Sequence, residues 1–194
     1  AYYVKMVERT QAVVLCMIVK NEAKVILRCL RSVRQMVDSY CICDTGSNDN
    51  TVKVIEDYLC ENELPGKVHK RPWVDFAHNR NESFQLGKMQ GDYIMTMDAD
   101  EVIVPLVDGV ADMEGVVGSL PDLHGIDRVD IRTYLGTCVY SRFQIFRSAL
   151  SWTWTYPVHE VCSCPEQKTS RTLEGCCNVP RTDGARSIDK HKYL

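Results

Sequence analysis

The sequence has no apolar run long enough to cross a bilayer. The stretch Val13 to Val19, even with Ala12 before it, falls far short of the roughly 20 residues that a spanning helix needs. No charged-then-apolar secretory leader opens the chain, so a cytoplasmic protein is expected. Charge of one sign is also scarce. With 23 basic and 26 acidic side chains the formal net charge is −3 and the pI is near 6.0. That balance gives no general attraction to nucleic acid or anionic lipid, so any phosphate binding has to be local and no nucleic-acid partner is expected. Two nucleotide-binding signatures are missing: no G-x-G-x-x-G follows the first apolar run, and no G-x-x-x-x-G-K-[ST] occurs anywhere. Dinucleotide oxidoreductases and P-loop NTPases are thereby disfavoured. Repeats and low-complexity tracts are absent as well.

The bulk composition is ordinary: 194 residues, 45% apolar and 25% charged, as in one soluble globular domain. Ten cysteines are many. Cys16, Cys41 and Cys43 lie in strand-like runs and Cys29 on the apolar face of a helix, where a thiol packs as a small hydrophobe. Cys162, Cys164, Cys176 and Cys177 form a C-x-C and a vicinal pair. That spacing does not match a zinc knuckle, so reduced, buried thiols are expected.

Alternating strands and helices fill the first hundred residues. Val13 to Val19 suits a central parallel strand, and 22–34 places Val25, Ile26, Cys29, Leu30 and Val33 at helical spacing. A short strand at 40–43 is followed by the polar turn 44–49 and a helix carrying Val52, Ile55, Tyr58 and Leu59. After the break at Pro65-Gly66, 67–71 reads as a strand, Asp75 as the cap of a helix from Phe76 to about Lys88, and 92–97 as a further strand. Such repeats predict an α/β fold with a mostly parallel central sheet. The second half is less regular; 127–135 and 142–146 look like strands of a smaller mixed or antiparallel part. The chain reads as a fragment of something longer.

Met97-Asp98-Ala99-Asp100-Glu101 is the most informative stretch, because two carboxylates spaced i, i+2 follow an apolar strand and so face the same way. Like charges held that close favour protonation of one of them or a hard cation between them. Open parallel sheets bind ligands beyond the carboxyl ends of their strands, where Lys20-Asn21-Glu22, Asp44-Thr45-Gly46-Ser47 and Asp98-Ala99-Asp100 all fall. Asp44 there could accept a hydrogen bond from a base N–H such as uracil offers.

These motifs, Val14 to Glu22, Cys43 to Thr51, Trp73 to Asn81 and Met97 to Glu101, in that order, resemble glycosyltransferase family 2, as found in bacteria and large algal DNA viruses. A weaker echo is Tyr156-Pro157-Val158-His159-Glu160. The resemblance implies a Rossmann-like GT-A fold and inverting transfer of a sugar, of glucose or rhamnose type, from a UDP-sugar donor to a hydroxyl of a glycan acceptor. It implies a nucleotide-sugar-binding half over about 13–103 and an acceptor half and tail over about 104–194, within one GT-A domain. If the source is viral, the compartment would be the host cytoplasm. By motif match, Val19, Asn21, Glu22, Asp44, Thr45, Gly46, Arg80, Asp98 and Ala99 would hold the nucleotide sugar. Asp100, with Asp98 and His159, would hold Mn²⁺ or Mg²⁺, and Glu160 would be the catalytic base.

Glu101 and Asp130 are reserve candidates for that base. Trp152, Trp154 and Tyr156 alternate and could line an acceptor strand, though core packing is the commoner use of such residues. Arg181, Arg186, Lys190, His191 and Lys192 give a basic tail that could close over a diphosphate or remain a solvated linker. Relatives often carry a histidine before a glycine in this region, where Pro180-Arg181-Thr182-Asp183-Gly184 stands instead. The alternatives are a sugar-phosphate nucleotidyltransferase, which normally needs a Gly-rich loop after the first strand, and a non-catalytic nucleotide-sugar-binding module.

Overall fold

The structure, a computed structural model, describes residues 10–184. Arg186, Lys190, His191 and Lys192 of the basic tail lie outside the described residues. At the centre runs β1 (Val13–Val19). Val13, Leu15, Met17 and Val19 belong to one buried cluster, while Val14 and Cys16 belong to another. A continuous apolar run is therefore covered on both faces, as a central parallel strand requires. In parallel with it lie β2 (Ser39–Asp44) on one side and β4 (Tyr93–Thr96) on the other, and β3 (Gly66–Lys70) continues beyond β2.

Three helices cover this part. α1 (Ile26–Ser32) and α2 (Thr51–Glu61) bury Ile26, Cys29, Leu30, Ile55, Tyr58 and Leu59 in the cluster on one face. The first is shorter than the expected 22–34: residues 23–25 form a turn and Val25 provides no side-chain cap. Helical spacing of apolar residues marks the buried face, but without a capping oxygen the first turn is not held in helical form. α3 (Phe76–Gly87) lies on the opposite face, with Phe84 in the second cluster, and starts as expected at Asp75, whose carboxylate accepts from the His78 N–H at 2.7 Å.

The second half extends the same sheet. β5 (Glu101–Val107), β6 (Val110–Ala111), β7 (Arg128–Leu135), β8 (Cys138–Arg147) and β11 (Ser170–Pro180) complete a nine-stranded order β3-β2-β1-β4-β8-β7-β11-β5-β6 among the described residues. The strands expected at 127–135 and 142–146 are β7 and β8, the latter starting four residues earlier at Cys138. Antiparallel pairing of β8 with β4 joins the two regimes, and β7 and β11 run parallel. A small hairpin of β9 (Thr153–Thr155) and β10 (Val161–Ser163) packs on α3. The cysteines are free thiols, and Cys16, Cys29, Cys41 and Cys43 are buried as expected. Cys162, Cys176 and Cys177 fall in three different buried clusters, so they do not converge on one ion. No helix of the described residues is long and apolar enough to cross a membrane.

Candidate active site

The loops that follow β1 and β2 are built from each other. Thr45 donates from its amide and its hydroxyl to the Val19 carbonyl at 2.9 and 3.0 Å. Asn21, in the left-handed region at φ 58°, gives its N–H to Ser47 Oγ at 2.8 Å and accepts the Asn48 N–H on Oδ1 at 2.8 Å. The Glu22 N–H reaches Thr51 Oγ1 at 2.7 Å. Asp44 turns its carboxylate onto the amides of Gly46 and Ser47 at 3.2–3.3 Å, an Asx-type turn. Two motifs that read as ligand-binding are thus also each other's scaffold.

Beyond these loops opens a crevice of about 530 Å³ at the carboxyl ends of the parallel strands. Val19, Glu22, Thr45, Asp98, Ala99, Asp100, His159 and Glu160 line it, so the structure brings most of the expected residues together. Asn21, Asp44, Gly46 and Arg80 do not; Asp44 and Gly46 face a separate hollow with Lys70 and Arg71, and Arg80 is buried behind Asp98 and Glu160. Asp130 is away from the crevice, ion-paired with Arg128 at 2.7 Å.

A chain of alternating charges forms the crevice floor. Arg80, 4% exposed, gives Nε to Glu160 Oε1 and Nη2 to Asp98 Oδ1, both at 2.8 Å, and its guanidinium lies 5.1 Å from the Trp154 ring centroid. Arg142, on β8, gives Nη2 to Asp98 Oδ2 at 3.2 Å and Nη1 to Glu101 Oε1. The Asp98 N–H donates to Glu101 Oε2 at 3.0 Å, closing the 98–101 turn. Burial alone would raise the proton affinity of Asp98, but the Arg80 and Arg142 guanidiniums overcome it and hold this carboxyl well below the usual range. Glu101 moves the other way, pushed up by burial and then by the Asp98 charge against the pull of Arg142.

The fit of a cation can be judged from these contacts. Among the described residues no group of three or more His, Cys, Asp or Glu forms a ready cage. Asp98, expected as a ligand, has both oxygens on guanidiniums. Asp100 is better placed. A Cβ added to Gly184 would lie 2.9 Å from both Asp100 Cβ and Glu22 Oε2, so these two side chains meet where the segment after β11 crosses the crevice. Carboxylate oxygens with room for phosphate and water suit a hard divalent ion at Asp100. That crossing segment is fixed by the Arg181 N–H on the Asp100 carbonyl at 2.9 Å and by Arg28 gripping Asp183 at 2.6 and 2.9 Å.

Trp152 and Trp154 pack with Phe84 and Phe146 beneath the site, so core packing is their use; only Tyr156 is exposed. The outer crevice wall comes from Leu135 and Tyr140 of the β7–β8 hairpin, which no motif marked, and from Trp73 at the start of the third motif, packed edge-on against Phe76. Arg142 was likewise missed. Its signal is distributed over the fold, because its partners are 41 and 44 residues away.

Comparison with known proteins agrees with this geometry. The sequence profile described as glycosyl transferase family 2 matches residues 14–158. A TPR repeat-containing protein of Synechococcus elongatus is 30% identical over 149 residues, covering 76% of this chain and 34% of that protein. An uncharacterized glycosyltransferase of Rickettsia felis is 36% identical over 84 residues, 43% of this chain and 27% of that protein. The chain therefore spans about a third or less of these relatives. The crystal structure of S. aureus TarS 1-349 superposes with a TM-score of 0.52 at 18% identity, covering 71% of this chain and 47% of that one.

Proposed function

From the premise that this chain belongs to glycosyl transferase family 2, we propose that it carries out metal-dependent, inverting transfer of a hexose or deoxyhexose, glucose or rhamnose type, from a UDP-sugar to a hydroxyl of a glycan. The observation that carries the reading is the meeting of Asp98, Asp100 and Glu160 at one crevice beyond the parallel strands, with buried Arg80 bridging Asp98 and Glu160. The fold similarity to a structure of S. aureus TarS in complex with UDP-GlcNAc, TM-score 0.51 at 17% identity, is in keeping with a uridine diphosphate sugar. On this reading residues 13–103 hold most of the donor contacts, and 104–184 add the acceptor wall.

Each side chain has a task set by its surroundings. The Val19 to Glu22 loop and Thr45 embrace the nucleoside, while Asp44 and Asn21 keep that loop pair rigid and Gly46 allows the turn at φ 102°. Ala99 lines the crevice between the two aspartates and would contact the sugar there. Asp98, kept ionised by two guanidiniums, offers acceptor lone pairs to a sugar hydroxyl. A Mn²⁺ or Mg²⁺ ion bound at Asp100 would supply positive charge as the diphosphate departs. His159, exposed and within the same lining, would complete the shell of that ion. Glu160 is anchored by one oxygen on Arg80, which leaves Oε2 to take the acceptor hydroxyl proton. Leu135, Tyr140, Trp73 and Phe76 present apolar faces against which a saccharide ring can stack.

A panel of nucleotide sugars, scored for release of free nucleotide with and without Mn²⁺, tests the reading. At least one donor should be turned over, chelation should stop it, and Asp100→Asn should lower the rate by about a hundredfold or more, since the charge on the leaving group loses several kcal/mol of stabilisation. Unchanged turnover in Asp100→Asn refutes the assignment. Binding of the donor with metal but without turnover would instead mark a non-catalytic module.

A further inference from the structure

Arg142 closes the charge chain on the crevice floor, and we propose that it is a positioning residue for the transfer step: it sets Glu160 through Asp98 and Arg80. The proposal rests on the glycosyl-transfer reading above and adds to it a residue outside every motif.

The argument starts at Glu160. It belongs to the 156–160 connection between β9 and β10, in which Tyr156 at φ 71° and His159 at φ 56° both adopt left-handed backbone, so the loop has little regular structure to aim a side chain. What aims Glu160 is the 2.8 Å bond from Arg80 Nε. Arg80 is itself forked: Nε faces Glu160, Nη2 faces Asp98 Oδ1, and Trp154 packs on the guanidinium. A guanidinium is planar and rigid, so the direction of one N–H fixes the others. The Asp98 carboxylate therefore decides where Arg80 can point its Nε.

Asp98 in turn is held on its second oxygen by Arg142 Nη2, while Arg142 Nη1 holds Glu101. Glu101 accepts the Asp98 N–H on its other oxygen. One fork thus spans both ends of the 98–101 turn and prevents the Asp98 carboxylate from rotating to take Arg80 with two oxygens. Such a rotation would draw Arg80 Nε off Glu160. Facing this cluster are Arg80 of α3, Glu160 of the β9–β10 connection, Glu101 and Asp100 on the turn, Asn178 of β11 beside Glu101, and Cys29 of α1, whose thiol meets the Asp98 carbonyl at 3.5 Å. Arg142 is the group among them that touches both Asp98 and Glu101 with separate nitrogens. A lysine, with one nitrogen, satisfies one carboxylate at a time.

The test uses the full chain and the nucleotide sugar that it turns over best. Arg142→Lys should lower kcat at least about tenfold with donor KM within about threefold, because a displacement of about 1 Å at the reacting group is enough to cost up to about a hundredfold. Arg142→Met leaves Glu101 buried without its cation, which destabilises the fold, so it is paired with Glu101→Gln, which removes the stranded charge. The double variant should unfold at a temperature close to that of the unaltered chain, bind UDP with Mn²⁺ as tightly by calorimetry, and still show the kcat loss. A double variant or an Arg142→Lys protein with full kcat overturns the proposal and leaves Arg142 a structural ion-pair partner. Glu160→Gln separates the two readings: if it keeps full activity the base assignment fails, whereas a dead Glu160→Gln beside fully active Arg142 variants sinks the positioning role alone.

Discussion

Asp98 and Glu101 stand three residues apart on one floor with opposite proton affinities, and the difference is set by which guanidiniums each can reach. Asp98 touches two and Glu101 one. The same reasoning applies at Asp127, away from the crevice, whose carboxylate accepts the amides of Lys168 and Thr169 on Oδ2 at 2.8 and 3.0 Å. Those bonds hold its proton affinity below the ordinary value, against a smaller opposing effect of burial. Because the folded value is depressed, Asp127 stabilises the fold above its unfolded pKa of about 3.9 and loses that contribution as pH falls through the folded value. Asp127→Asn should therefore cost about 1–2 kcal/mol at pH 7 and almost nothing well below pH 3, read from denaturant unfolding at each pH. At this scale the motifs were legible: Glu22, Thr45, Asp98, Asp100 and Glu160 are brought to one crevice. Asn21 and Asp44 were legible as important, but hydrogen bonds within their own loops could not be told from ligand contacts before the fold was known. Arg142 was invisible, since a lone arginine in a strand has no spacing to read.

Among the elements, α3 and β1 approach so closely that a Cβ on Gly87 would lie 2.1 Å from the Cys16 sulfur, a buried atom in a central strand. Gly87→Ala should thus lower stability by about 1–3 kcal/mol, seen as a drop in thermal midpoint, because helix and strand must part or Cys16 must leave its rotamer. Cys16→Ala in the same chain should recover part of that loss. Strands and helices of the first half followed from periodicity and from Asp75 as a cap. β5 and β11 did not, for local reasons. β5 carries Pro105, and β11 carries Gly175 at φ 79° with a register shift between Leu173 and Asn178, so neither shows clean alternation. Their neighbours hold them in the sheet, which outweighs weak intrinsic preference.

For the whole molecule, the order β4-β8-β7-β11-β5 means that the strand after Asp100 does not pair beside the strand before it. Three later strands are inserted between them. A chain cut after residue 120 should lose β8 from beside β4 and β11 from beside β5 and show no cooperative unfolding transition by circular dichroism, although it keeps all four donor-side motifs. Sequence by itself determined the parallel β-α units, because an apolar run buried on two faces and helices of one apolar stripe follow from local period and burial. It also determined which loops carry the side chains that line the crevice, since strand ends fix their position along the chain. Tertiary structure alone decided which charges neutralise one another. Ion pairs between β8, α3 and the 98–101 turn depend on strand order and register, and these are settled by long-range pairing that no local pattern encodes.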